Sequence, residues 1–294
     1  MNIVLLGADG QLGQQLRVAL AGLGPLLALG RGTDIADFDA LADAIRQHQP
    51  QAIVNAAAYT AVDKAEDEPD RAYAVNARAC ELLAREAQRF GAWLVHYSTD
   101  YVFDGSGSRP WREDDTPAPL NVYGASKLAG ETAIRAGCDR HLILRTSWVY
   151  ESGRSNFINS ILKAACSRDS LTVVDDQWGA PARALSLARE TARILPLLEP
   201  DQAGLYHFTA AGETSRFELA RHALDAAAHL NWPLRTRPEA LLRAKTAQMP
   251  TRAQRPLNSR LDCGLYDRTF SAVRSAWQQE VSSAIALWPM IDGS

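Results

Sequence analysis

Met1-Asn2-Ile3-Val4-Leu5-Leu6-Gly7-Ala8-Asp9-Gly10-Gln11-Leu12-Gly13, residues 1–13, is the stretch on which the fold turns. Asn2 to Leu6 is an apolar run that reads as a buried strand, and Gln11 to Ala21 has the spacing of a helix. Between them stand three glycines, Gly7, Gly10 and Gly13. They allow a tight turn, close approach of a pyrophosphate, and close packing of helix on strand. The helix start then offers free backbone N–H groups to phosphate. Three glycines alone are a weak signal; a strand before them and a helix after them supply the context that counts.

Working outward, the same grain repeats. Pro25 to Leu29, Ala52 to Asn55, Trp93 to Tyr97 and Leu142 to Arg145 read as further strands, with helical patterns over Phe38 to His48 and Pro69 to Phe90. Strand and helix in alternation predict a parallel sheet covered on both faces by right-handed crossovers. After Arg145 prolines and glycines become frequent and the segments shorten. The expected architecture is α/β: a Rossmann-type, doubly wound NAD(P)-binding domain over 1–150. Residues 151–294 form mainly a smaller carboxyl-terminal substrate-binding lobe, interleaved with the last strands and helices of the first domain.

Composition narrows the class. The chain has 294 residues, 47% hydrophobic and 22% charged, which suits a globular protein with a sizeable core. A formal net charge of -3 gives no bulk attraction for nucleic acid or an acidic membrane. Cys80, Cys138, Cys166 and Cys263 lie far apart without a CxxC pair, so neither a disulfide framework nor a zinc site is expected. No apolar stretch is long enough to span a bilayer. A cytoplasmic protein is the expectation, with no nucleic-acid or membrane partner.

The second strand ends at Leu29-Gly30-Arg31 without an acid until Asp34. An acid there would bind the ribose hydroxyls of NAD, whereas an arginine can pair with the 2′-phosphate of NADP. Nothing at that strand end is then expected to repel a 2′-phosphate, so NADPH is the predicted cofactor, with NADH also accepted. Gly7, Gly10, Gln11, Leu12, Gly13 and Arg31 are assigned to it. Asp34 and Ile35 are placed at the adenine, and Ala57, Ala58, Tyr59 and Thr60, after the third strand, along its length.

Tyr123 and Lys127 stand four apart and share one helical face. A free phenol titrates near about 10, and a neighbouring ammonium favours the phenolate and brings that value toward the working range. Upstream, Tyr97-Ser98-Thr99-Asp100-Tyr101 puts hydroxyls at the carboxyl end of a strand, where doubly wound sheets bind ligands. Thr99 is therefore expected to hold a carbonyl oxygen while Tyr123 delivers the proton.

These residues resemble the extended short-chain dehydrogenases/reductases, and more closely the dTDP-4-dehydrorhamnose reductases. The likeness is carried by GADGQLG (7–13), VNAAAYTAVDKAE (54–66), YSTDYVFDG (97–105), PLNVYGASKLAGE (119–131), RTSWVY (145–150), VVDDQWGAP (173–181), GLYHF (204–208) and RPLNSRLD (255–262). The resemblance implies hydride transfer from NAD(P)H to dTDP-4-dehydro-6-deoxy-L-mannose, giving dTDP-L-rhamnose for cell-surface polysaccharide. It implies Tyr123 as proton donor, Lys127 as its activator and ribose ligand, and Thr99 as carbonyl partner. Asp100, Trp148 and Lys64 are implied beside the sugar, and Asn156 and Arg255 at thymine or diphosphate.

The chain departs from the family where Ala182-Arg183-Ala184-Leu185-Ser186-Leu187 replaces a less basic stretch, and where Gln14-Gln15-Leu16 lacks a glutamate. No metal is assigned, and a monomer or homodimer is expected. Two other readings compete. Another nucleotide-sugar epimerase or dehydratase is one, although a dehydratase usually has an acid after Asp100 and this chain has Tyr101. A non-catalytic nucleotide-binding regulatory subunit is the other, and the Tyr123/Lys127 pair argues against it.

Overall fold

The computed structural model describes residues 1–288, so the last six residues of the expected second lobe lie outside the described ones. Six parallel strands form the central sheet. In chain order they are β1 (Ile3–Leu6), β2 (Leu26–Leu29), β3 (Ala52–Asn55), β4 (Trp93–Thr99), β5 (His141–Thr146) and the strand Gly204–His207. In space they run Gly204–His207, β5, β4, β3, β1, β2. Every pairing is parallel. The order reverses between β1 and β3, which opens the crevice where doubly wound sheets bind ligands. The expected strands thus form within one or two residues of their predicted ends.

Both sheet faces are covered. On one, α1 (Gln11–Leu20) and α8 (Ala184–Ile194) pack through Leu12, Leu16, Leu20, Leu187 and Ile194 onto Ile3, Leu5 and Val95. On the other, α2 (Phe38–His48), α5 (Ala79–Phe90) and α6 (Val122–Gly137) bury Leu41, Ile45, Leu83 and Ile134 against Val4, Ile53 and Ile143. Burial of that apolar area is the main stabilising force. A third cluster lies wholly in the carboxyl-terminal half, where Tyr150, Leu162, Phe217, Leu224 and Trp277 pack together. Gly204–His207 belongs to the main sheet although it follows residue 151, so pieces of the second half interleave with the first.

The helix expected over Pro69 to Phe90 is not uniform. It runs as α4 (Pro69–Tyr73), a π-turn over Ala74–Arg78, and then α5. Asn76 explains the break: its Oδ1 accepts from Tyr59 N, and its Nδ2 donates to Tyr59 O and Ser126 Oγ. A π-turn inserts one extra residue and re-aims a side chain in this way. Among the described residues no helix is long and apolar enough to cross a membrane.

Candidate active site

A groove runs along the carboxyl ends of β1, β2 and β3. Its outer part, about 590 Å³, is lined by Gly7, Gly10, Arg31, Asp34, Ile35, Ala57, Ala58 and Tyr59 among others. Its inner part, about 560 Å³, continues past Gln11, Leu12 and Thr60 to Tyr123 and Lys127. The two parts share Asp9, Gly10, Arg31, Ala56, Ala57 and Ala58 and so form one elongated site. Gly7 sits at φ +73°, and a side chain there would meet Ala57 N at 2.6 Å. Gly13 does not line the groove; it lies behind the turn, where a Cβ would overlap the backbone of Gly7. A glycine cradle, a helix start and an elongated groove fit a dinucleotide.

The reading of the second strand needs a correction. Asp9, from the glycine loop, reaches across, and its Oδ2 accepts from Arg31 N at 2.8 Å. An acid therefore does stand at that corner, supplied by β1's loop instead of β2. Asp34 is paired to Arg71 at 2.9 Å, and the guanidinium holds its carboxyl below the usual value. Arg31 and Arg71 both line the outer groove.

At the inner end, α6 carries Tyr123 and Lys127 one turn apart. Its start is fixed by Asn121 Oδ1, which accepts from Gly124 N at 2.8 Å, and by Glu66 Oε1, which accepts from Val122 N. Gly124 lets the helix press on the backbone of Tyr101, whose ring meets Tyr123 edge-on at 5.5 Å. Further along, buried Glu131 accepts from Arg145 at 2.6 Å and from Ser98 Oγ at 2.5 Å. That charge-assisted cluster ties α6 to β4 and β5.

The expected electrostatic effect of Lys127 on Tyr123 is not what the geometry gives. Lys127 Nζ donates to Tyr97 O at 2.7 Å and lies 3.0 Å from His96 Nε2. Burial pushes the Tyr123 phenol above its ordinary value, the hydroxyl of Thr99 draws it part of the way back, and the charge of Asp100 raises it. Burial likewise lowers the pKa of Lys127. Desolvation outweighs the charge coupling that sequence spacing suggests.

Thr99 Oγ1 donates to Asp100 Oδ1 at 3.1 Å. Asp100 is buried, its Oδ2 has no partner, and burial pushes its carboxyl up to about 6 against the pull of Ser259, Thr99 and Arg216. Trp148 sits with φ +49°, a backbone region that a bulky residue enters only under constraint. Arg216 lies over its ring at 3.9 Å and over Phe157 at 4.7 Å. Burial lowers the Arg216 pKa to about 10, with Tyr101 and Asp100 opposing. No motif marks Arg216 in the sequence.

Other expected contacts stand apart. Lys64 is 65% exposed and bound to Glu68 at 2.8 Å. Its neighbours in AVDKAE are used instead: Asp63 binds Arg255 at 2.6 Å, and Glu66 caps α6. Arg255 keeps one buried nitrogen, Nη1, without a partner. Asn156 caps α7 (Phe157–Ser167), and its Nδ2 reaches Oε1 of Gln11, a residue of the inner groove, at 3.2 Å.

A family model described as the RmlD substrate binding domain matches residues 1–288. The chain belongs to that family. The dTDP-4-dehydrorhamnose reductase of Escherichia coli (strain K12) is 46% identical over 285 residues, 95% of each chain. The crystal structure of a dTDP-4-dehydrorhamnose reductase from Clostridium acetobutylicum superposes with a TM-score of 0.90 at 30% identity, covering 98% of this chain and 99% of that one. The Bacillus anthracis dTDP-4-dehydrorhamnose reductase, solved in complex with NADP, gives 0.87 at 30% identity, with 97% and 98% covered. Within the RmlD family, then, the likeness spans sheet, groove and carboxyl-terminal half together.

Proposed function

We propose that this chain is an NADPH-dependent dTDP-4-dehydrorhamnose reductase of dTDP-rhamnose synthesis. The observation that carries the reading is the meeting of Tyr123 and Lys127 at the inner end of a dinucleotide-shaped groove, with the Thr99 hydroxyl bonded to Tyr123, in a chain 46% identical to a reductase of that name. When bound, the reduced nicotinamide supplies the hydride for the sugar's carbonyl carbon. Tyr123 gives its phenolic proton to the carbonyl oxygen. Thr99 turns its hydroxyl from Asp100 toward that oxygen and holds it in line. Lys127 faces the cofactor ribose.

Around the sugar, Asp100 takes a hydroxyl and Trp148 offers an apolar face to a deoxysugar. Arg216 and Arg255 are assigned to the diphosphate, since guanidinium forks match its oxygens. Lys64 and Asn156 are weaker candidates, because Glu68 and the α7 start occupy them. Four free cysteines agree with a cytoplasmic enzyme. A monomer or homodimer is the assembly proposed, which light scattering distinguishes. The test is direct: with dTDP-4-dehydro-6-deoxy-L-mannose and NADPH, cofactor absorbance falls in step with dTDP-L-rhamnose formed. Unchanged absorbance with intact, NADPH-binding protein overturns the reading.

A further inference from the structure

Arg216 is the first residue of α9 (Arg216–His229), where the positive end of the helix macrodipole disfavours a cation. Its side chain is partly buried, yet it makes no hydrogen bond and no ion pair with a described residue. Asp100 and Arg255 stand close enough to act on it by charge, one favourably and one not, without a bond to it. Two aromatic rings hold the guanidinium instead. It lies 3.9 Å from the ring centre of Trp148 and 4.7 Å from that of Phe157. Methionine or leucine would fill the same space without desolvating a charge, so packing alone gives no reason for an arginine there.

Trp148 is constrained by the same surroundings. Its left-handed backbone is anchored on both sides: Ser147 Oγ donates to Ala180 O at 2.6 Å, and Val149 and Tyr150 pair with Ala182 and Arg183. Its ring fills the space beside Gly179, where a Cβ would come 3.0 Å from Cζ2. Thr146 and Val149, which flank it in the chain, line the inner groove together with Tyr123 and Lys127. The indole is therefore carried by the segment that walls the groove, whereas Arg216 and Phe157 come from α9 and α7 of the carboxyl-terminal half.

A guanidinium stacked on a ring keeps its five N–H groups in its own plane, so it can bind an anion without leaving the ring. Arg255 acts on Arg216 as a like charge and keeps Nη1 buried without a partner, and an anion between two such cations relieves their repulsion. On the reductase reading that anion is the diphosphate of a nucleotide sugar. We propose that Arg216 is the positioning residue for Trp148: its face fixes the indole while its in-plane N–H groups take the diphosphate. One stacked unit thereby ties the nucleotide end of the substrate to the ring that faces the sugar. Filling the diphosphate position then tightens Trp148 before any sugar chemistry begins.

The decisive measurement is fluorine NMR of the full chain labelled with 5-fluorotryptophan, saturated with NADP+ so that the cofactor groove is filled. Trp148→Phe identifies the Trp148 resonance among those of the seven tryptophans. Adding dTDP is expected to shift that resonance, and adding thymidine, which has no phosphate, is not. Arg216→Met should bind dTDP about tenfold more weakly or worse and lose the Trp148 response. Arg216→Lys keeps the charge without the planar fork, and should recover part of the affinity but not the response. A folded methionine variant with unchanged dTDP affinity, or with the wild-type response, overturns the proposal; so does a lysine variant that recovers both. If the methionine variant does not fold, the lysine variant decides alone. Wild-type protein that binds dTDP but does not reduce the sugar removes the reductase reading and leaves the stacked unit standing, whereas failure to bind dTDP overturns both.

Discussion

Replacing Tyr123 by phenylalanine removes one oxygen from a buried ring and leaves its contact with Tyr101 in place. Proton donation by a positioned side chain contributes roughly 10²–10⁴-fold. Tyr123→Phe is expected to lose that much kcat while binding NADPH with near-normal affinity by fluorescence titration; a variant keeping most of its kcat would remove Tyr123 from the mechanism. Cofactor choice is also decided by single residues. On the proposed reading Arg31 pairs with a 2′-phosphate, while the Asp9 carboxylate, which accepts from the Arg31 backbone N–H, opposes one. Because Arg31 is exposed, solvent weakens its pairing, and Arg31→Ala should lower the NADPH/NADH ratio of kcat/KM by no more than about tenfold. Asp9→Asn should raise the same ratio. If neither moves it, the 2′-phosphate lies elsewhere in the groove.

At the scale of elements, the junction of β1 and α1 depends on a glycine that does not line the groove. Any Cβ at Gly13 would overlap the backbone of Gly7 and Ala8. Gly13→Ala is expected to spread the turn and abolish NADPH binding, although alanine favours a helix by about 1 kcal/mol over glycine. Gly22, just past the same helix, has nothing within 4 Å of such a Cβ, and Gly22→Ala serves as the control. Calorimetric titration with NADPH reads both; equal affinities would show that the packing is not tight. The π-turn is the other element-level device, since from it Asn76 bonds both Tyr59 N and Ser126 Oγ.

For the whole molecule, stability and function meet at Asp100. Its carboxyl is pushed up to about 6 from 3.8 by burial. Between those values the folded chain holds a proton that the unfolded chain has released. The folded state is therefore favoured at low pH, and that contribution is lost as pH rises from about 4 to about 6, by up to about 3 kcal/mol. Asp100→Asn should flatten that part of the curve. Denaturant unfolding of both proteins across the range checks it, and parallel curves would mean that other groups carry the pH dependence. On the proposed reading, in which Asp100 takes a sugar hydroxyl, this cost at the junction of β4 with Ser259 and Arg216 is one that binding imposes on the fold.

The sheet, the glycine cradle and the Tyr123/Lys127 spacing were all legible in the linear chain. Each depends on short-range periodicity: apolar runs make strands, and a four-residue step shares a helical face. Residues 38–48 and 52–55 form the elements read for them without change. The tertiary structure alone decided which charges meet. Asp9 reaches Arg31, Arg216 lies on Trp148, Asp63 takes Arg255, and Lys64 of the same motif goes to Glu68. It also decided that burial governs Tyr123 and Lys127, with His96 facing the lysine. Spacing along a chain records neighbours on one element, whereas hydrogen-bond partners and desolvation arise between elements, and those are fixed only when the elements pack.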